Sequence, residues 1–198
     1  MPQLEQLEQL EQFVVDAIKT ESRIDSVKVN DAFLRNTIFT MIKAGNILDQ
    51  IKKNVFYDKP FNRDDLLQLV YDLNHYALDL HAIIADDKMN NKHKEEVNPR
   101  LFHSIVGIAT ESTELLEALA HNGLMGKPMD NVNIGEEFGD LDWYKAIGCD
   151  ELNIQWGTIL DTVITKLKAR YPDNFTSEDA INRDLGKERE ILNTMETK

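Results

Sequence analysis

Glu111-Ser-Thr-Glu114 and Glu137-Phe-Gly-Asp140 are the two stretches on which the reading of this chain turns. Each has the form E-x-x-[ED], and each sits inside a helical pattern. Side chains at i and i+3 share a helix face, so each motif presents two carboxylates from one surface. A turn between two such helices brings the pairs together. Clustered carboxylates repel strongly in a low-dielectric site. A hard divalent cation relieves that repulsion, and oxygen-only ligands favour Mg²⁺, Mn²⁺ or Ca²⁺. A helical carboxylate cage for Mg²⁺ serves phosphate chemistry, because Mg²⁺ is held by a few carboxylates together with substrate phosphates.

The residues around these motifs are those of an all-α protein. Of 198 residues only nine are Gly and five Pro, and helix formers abound. No stretch alternates at period two, so no sheet is expected. An amphipathic N-terminal helix carries Leu4, Leu7 and Leu10 and leads into Phe13, Val14 and Ile18. A second helix is expected over Asn30 to Lys53, followed by a loop from Asn54 to Pro60. Asn62 caps a third that reaches Ile84. Ala85 to Asn98 reads as an exposed linker. The fourth helix starts at Pro99 and ends near His121. Asn133 with Glu136 resembles a capping box for the fifth. The sixth spans Leu152 to Arg170 and is stopped by Pro172, and a last helix runs from Thr176 to near the C-terminus.

Charge narrows the function classes. A net charge of −13 repels DNA, RNA and anionic membranes, so neither a nucleic-acid polymer nor a membrane is expected as a partner. A small anionic ligand stays admissible if a metal and a few Lys or Arg invert the local charge. The single Cys149 excludes an intrachain disulfide and a Cys-based zinc cage. The polar start lacks a signal-peptide core and no apolar run approaches a membrane span, so a cytoplasmic location is expected.

The chain also repeats itself. Shifted by 68 residues, Phe39–Leu80 overlays Gly107–Gly148 without a gap, with seven identities in 42 positions. Lys59-Pro60 falls on Lys127-Pro128, and Asp72-Leu73 with Tyr76 falls on Asp140-Leu141 with Tyr144. Glu111, Glu114 and Glu137, by contrast, align with Lys43, Asn46 and Leu69, and only Asp140 keeps a carboxylate mate, Asp72. The first copy therefore keeps the helical hairpin and loses the ligand set.

Three ordered motifs resemble the MazG-type all-α nucleoside triphosphate pyrophosphohydrolases. The first is His103-Ser-Ile-Val-Gly-Ile-Ala-Thr-Glu111-Ser-Thr-Glu114-Leu-Leu-Glu117-Ala. The second is Glu136-Glu137-Phe-Gly-Asp140-Leu-Asp-Trp143-Tyr144. The third, Thr165-Lys166-Leu-Lys168-Ala-Arg170-Tyr171-Pro172-Asp-Asn-Phe175, is similar to the basic tail of phage and bacterial members, and Asn182-Arg183-Asp184 and Glu188 continue it. The resemblance implies a single all-α domain over residues 1–198. It would be a helical bundle of the all-α nucleoside triphosphate pyrophosphatase type, built from two tandem helical-hairpin repeats. Residues 36–84 would be a degenerate structural repeat and residues 99–192 the catalytic one. It further implies Mg²⁺-dependent cleavage between the α- and β-phosphates, with Mn²⁺ as a substitute. Glu111, Glu114, Glu137 and Asp140 would be the catalytic metal ligands, and Lys166, Lys168 and Arg170 the phosphate-binding cations. The substrate would be a nucleoside triphosphate, and a homodimer is an admissible assembly. Two positions depart from the pattern. Thr110 stands where many members carry a second Glu, which bears on the general base. Val163 stands where many carry Asn, which bears on nucleotide positioning.

The remaining residues admit two readings each. Glu117 is a further acid behind the cluster or a solvated charge, and Glu136 points away from Glu137 towards the surface. His103, Trp143 and Tyr144 are core-packing groups or stack on a nucleobase. Lys166, Lys168 and Arg170 also suit a helix C-terminus through its dipole. Two other classes compete with the hydrolase: a non-catalytic nucleotide-binding protein of the same fold, and a di-iron carboxylate bundle. The latter ranks last because the chain has no Glu-x-x-His.

Overall fold

The capping residues set the elements. The structure, a computed structural model, describes the backbone of residues 2–195 and the side chains of residues 8–195. The side chains of Leu4 and Leu7 lie outside the described residues. Eight α-helices are present among them: α1 Pro2–Lys19, α2 Asp31–Tyr57, α3 Arg63–Ala85, α4 Pro99–His121, α5 Asn131–Leu152, α6 Trp156–Arg170, α7 Ser177–Ile181 and α8 Leu185–Leu192. The all-α expectation holds. No described helix is long and apolar enough to cross a membrane.

The 68-residue offset reappears in three dimensions. α2 and α4 start at Asp31 and Pro99, and α3 and α5 start at Arg63 and Asn131. Their caps stand at the same offset. The Asn30 side chain accepts from Phe33 N and the Asn98 side chain from Arg100 N and Leu101 N. Asn62 accepts from Asp65 N, and Asp130 from Val132 N and Asn133 N. Each hairpin also turns through a left-handed residue before its Lys-Pro pair, Asp58 at φ 52° and Gly126 at φ 69°. Glycine adopts that region without a Cβ penalty, and Asp tolerates it. The correspondence begins at the N-caps, nine residues ahead of the first aligned residue of the sequence comparison.

Several boundaries differ from the expected ones. α2 runs on to Tyr57, because nothing breaks it before Asp58 turns left-handed. The Ala85–Asn98 linker holds a 3₁₀ turn, Lys88–Asn90, and a two-residue strand. That strand, β2 (His93–Lys94), pairs antiparallel with β1 (Lys28–Val29), Lys28 opposite Lys94. Two residues are too few to show an alternating pattern. α5 extends to Leu152 and stops at Asn153, φ 55°, so α6 begins at Trp156. The expected last helix is two: Thr176 caps α7, and Asp184 accepts from Lys187 N at the start of α8. The Asn133–Glu136 capping box does not form. Asp130 is the cap, and Asn133 is one turn inside the helix.

The chain divides into two compact units. The first comprises Met1–Ser26, Val97–Lys166 and Arg189–Lys198. In it α1 lays Val14 and Ala17 against Ala146 and Cys149 of α5 and Trp156 of α6, with Trp143 and Ile159 packed around them. Phe13 meets Trp156 edge-on at 5.8 Å. Arg100 organises the polar side of this unit. It bonds Glu21 through two nitrogens at 2.8 Å and reaches Asp150 at 2.7 Å and Glu151 at 2.9 Å. The Glu21 side chain is 1% exposed. Burial pushes its carboxyl up, but Arg100 overcomes this and holds it below the usual range.

The second unit comprises Val27–Glu96 and Leu167–Glu188. Here α2 and α3 form the hairpin, with Phe39 stacked on Tyr76 at 5.2 Å, and α7 packs on α2. Neither α2 nor α3 contains a buried residue. Glu188 is the polar hub of this unit. Arg170 bonds both its oxygens at 2.7 and 2.8 Å, and Arg183 bonds them as well. Arg183 first and Arg170 second hold the Glu188 carboxyl down at about 2, against the opposing effect of burial.

Replacing Arg100 by Ala strips the buried Glu21 of two 2.8 Å bonds and leaves it only Arg23, at 3.1 Å. The expected loss is about 3 kcal/mol in urea unfolding, with Arg100→Lys recovering only part because a point charge cannot replace the fork. Glu188→Gln removes a carboxylate whose proton affinity is lowered by folding. Its stabilisation is present above the ordinary value near 4.5 and is lost as pH falls towards 2. The melting-temperature gap between wild type and Glu188→Gln is therefore expected to be full at pH 7 and to close progressively between those two values.

Candidate metal centre

Glu111 and Glu114 stand on α4, and Glu137 and Asp140 on α5. What brings the helices close is a set of small residues where they cross. A Cβ added at Gly148 would lie 2.6 Å from Ser104 Oγ. One added at Gly107 would lie 2.1 Å from the Tyr144 ring. Ser104 Oγ donates to the Tyr144 carbonyl at 2.8 Å, which ties the two backbones directly.

At this crossing Glu111, Glu137 and Asp140 offer carboxylate oxygens that all lie within 4.8 Å of one another. Glu137 is buried, 5% exposed, and accepts from Asn133 Nδ2 at 2.5 Å. Glu111 is half-buried and Asp140 exposed. The Glu111 carboxyl is held above its usual range by burial first, then by the charge of Glu114, its hydrogen bond with Glu137 and the charges of Asp140 and Glu137. Three of the four expected ligands thus converge. Glu114 is exposed, outside the tight triplet, and acts on it through its charge. All donors are oxygens, a set that fits a hard divalent cation and would hold it through Glu111, Glu137 and Asp140.

The surroundings sort the ambiguous residues. Thr110 Oγ1 donates to the Gly107 carbonyl at 2.8 Å and lies 3.4 Å from Glu111. Tyr144 sits under Gly107, and its hydroxyl is pushed up by burial, then by Glu111, Asp140 and Glu114. His103 packs edge-on against Trp143 at 5.8 Å and Tyr144 at 5.4 Å. Trp143 packs on the core and donates from Nε1 to Thr20 Oγ1 at 2.9 Å. Glu117 and Glu136 are exposed. A largely apolar cavity of about 260 Å³ runs along α4, bordered by Phe102, His103, Val106, Thr110 and Tyr144.

The three expected phosphate-binding cations all stand on the last turns of α6. Lys166 is half-buried. Lys168 is exposed, and the guanidinium of Arg170 is bonded side-on to Glu188. Sequence reasoning placed Glu188 in the basic tail without pairing it to Arg170. Acids spaced like Glu188 are common on solvated helix faces, so only the tertiary contact reveals the pair. It also missed Asn133 as the group that orients Glu137, although their i, i+4 spacing carries the signal.

The equivalent positions of the first repeat have solved the charge problem differently. Lys43 Nζ lies 2.7 Å from Asp72 Oδ2, and Gln68 Nε2 donates to Asp72 Oδ1 at 2.7 Å. Lys43, ahead of Gln68, holds the Asp72 carboxyl below its usual range. A lysine thus supplies in the first repeat the positive charge that the carboxylates of the second leave open. Compared with family models, curated proteins and solved structures, the chain matches none of them.

Gly107→Ala drives a methyl group into the Tyr144 ring. The expected cost is about 2 kcal/mol in urea unfolding, within the usual range for overpacking. Combined with Tyr144→Ala the two losses should be clearly less than additive, since the second substitution removes the clash made by the first.

Proposed function

We propose that this chain hydrolyses nucleoside triphosphates to a nucleoside monophosphate and pyrophosphate in a Mg²⁺-dependent reaction, as the MazG-type enzymes its motifs resemble do. The observation that carries this reading is the convergence of Glu111, Glu137 and Asp140 from two consecutive helices of the same hairpin. One of the three is buried, and the triplet raises the proton affinity of Glu111. Those are the marks of a site whose charge is meant to be balanced from outside the chain.

Water adds to the α-phosphorus, the bond from that phosphorus to the bridging oxygen breaks, and pyrophosphate leaves with that oxygen. When bound, Mg²⁺ supplies the positive charge that a triphosphate requires at this acidic face and polarises the phosphoryl group under attack. The chain's own residues set the geometry. Glu111, Glu137 and Asp140 would hold the cation. Asn133 keeps Glu137 turned inward through its 2.5 Å bond. Glu114 completes the acidic rim one turn along α4. The cavity bordered by Phe102, His103 and Tyr144 gives an apolar surface beside Glu111 on which a base can rest.

A panel of ribo- and deoxyribonucleoside triphosphates with Mg²⁺, read by monophosphate and pyrophosphate release, tests the reading. Wild-type protein is expected to turn over at least one of them. Glu137→Gln and Asp140→Asn keep shape and remove a ligand charge, and each is expected to lower kcat/KM by about 100-fold or more with circular dichroism unchanged. Absence of product from every triphosphate, or near-normal turnover in both variants, would reject the assignment.

A further inference from the structure

The second unit holds a cavity of about 320 Å³ whose charge is opposite to that of the chain. Lys52, Lys53, Lys59, Arg170 and Arg183 line it, with Asp49 as the one carboxylate among its lining residues. Counting Glu188, which bonds both arginines, five cations face two carboxylates in a protein of net charge −13. Asp49 pairs with Lys52 at 2.6 Å and also with Lys53. The Lys59 ammonium has no partner among the described residues. Both arginines meet Glu188 through Nε and Nη2, and Arg170 also bonds Tyr171 of the cavity wall.

Two further features shape this cavity for a ligand. Tyr57 and Tyr171 form part of its wall and are held by Phe175 between them, at 5.6 and 5.3 Å. A second cleft, about 450 Å³, adjoins it through Asp49, Lys53 and Lys59 and contains the Lys43–Asp72 pair. That cleft occupies, in the first repeat, the positions that carry the carboxylate cluster in the second.

We propose that the first repeat and the segment around Arg170 form an anion-binding site for an oligophosphate chain, either inorganic or carried on a nucleotide, that needs no divalent cation. Lys52, Lys53, Lys59 and the guanidinium groups of Arg170 and Arg183 supply the charge that a metal supplies elsewhere in phosphate recognition. The inference does not rest on turnover at the Glu111 cluster.

Calorimetric titration of the full chain with sodium tripolyphosphate in excess EDTA tests it. Binding is expected for wild type and for Glu137→Gln alike, which separates this site from the carboxylate centre. The exposed pair Lys52→Ala/Lys59→Ala should weaken binding by about tenfold or more. The charge-matched control Lys92→Ala/Lys145→Ala should leave it within about twofold. Nucleoside triphosphate and unphosphorylated nucleoside are run in parallel. A nucleotide tighter than tripolyphosphate assigns the tyrosine wall to the base, and equal affinity assigns the site to the phosphate chain alone; both uphold the proposal. No binding in EDTA, equal weakening in the control pair, or a nucleoside that binds as well as its triphosphate overturns it.

Discussion

The close crossing of α4 and α5 is the constraint on which the first unit depends. Ser104, Gly107 and Gly148 leave no room for larger side chains there, and Tyr144 fills the space that Gly107 leaves. The tight approach has an electrostatic consequence. It forces Glu111 to within hydrogen-bonding reach of Glu137 and beside Asp140, an arrangement that costs free energy when all three are ionised. Their oxygens are placed so that the three side chains could hold a metal ion.

The two hairpins show two solutions to one geometric problem. Their helix starts, caps and left-handed turns coincide at the same offset, so the backbone that brings residue 43 to residue 72 is the one that brings residue 111 to residue 140. In the first hairpin Lys43 and Asp72 neutralise each other inside the chain. In the second the carboxylates face one another and Asn133 braces the buried one. Changing a few side chains on a retained scaffold thus separates a charge-neutral hairpin from a charge-hungry one.

Arginine hubs do comparable structural work in each unit. Arg100 gathers Glu21, Asp150 and Glu151, and Glu188 gathers Arg170 and Arg183. The planar fork of arginine lets each hub satisfy several oxygens or share one carboxylate without leaving buried donors unpaired. No buried side-chain nitrogen or oxygen lacks a hydrogen-bond partner among the described residues.

The sequence by itself determined the helical class, the duplicated hairpin and the carboxylates of the candidate centre, because these follow from local patterns. An i, i+3 pair must share a helix face, Asn62 and Thr176 sit where a cap is required, and a gapless repeat carries its caps with it. Tertiary structure decided the rest. Which of the four acids meet depends on how closely two helices cross, and that is set by Gly107 and Tyr144, residues without charge. The partner of Arg170 depends on the path of the chain beyond Pro172, where a short helix and a turn return Glu188 to it. The β1–β2 pair joins residues more than sixty positions apart through two residues each, too little for any periodicity to announce. Contacts between distant segments are governed by packing and loop closure, which local spacing does not encode.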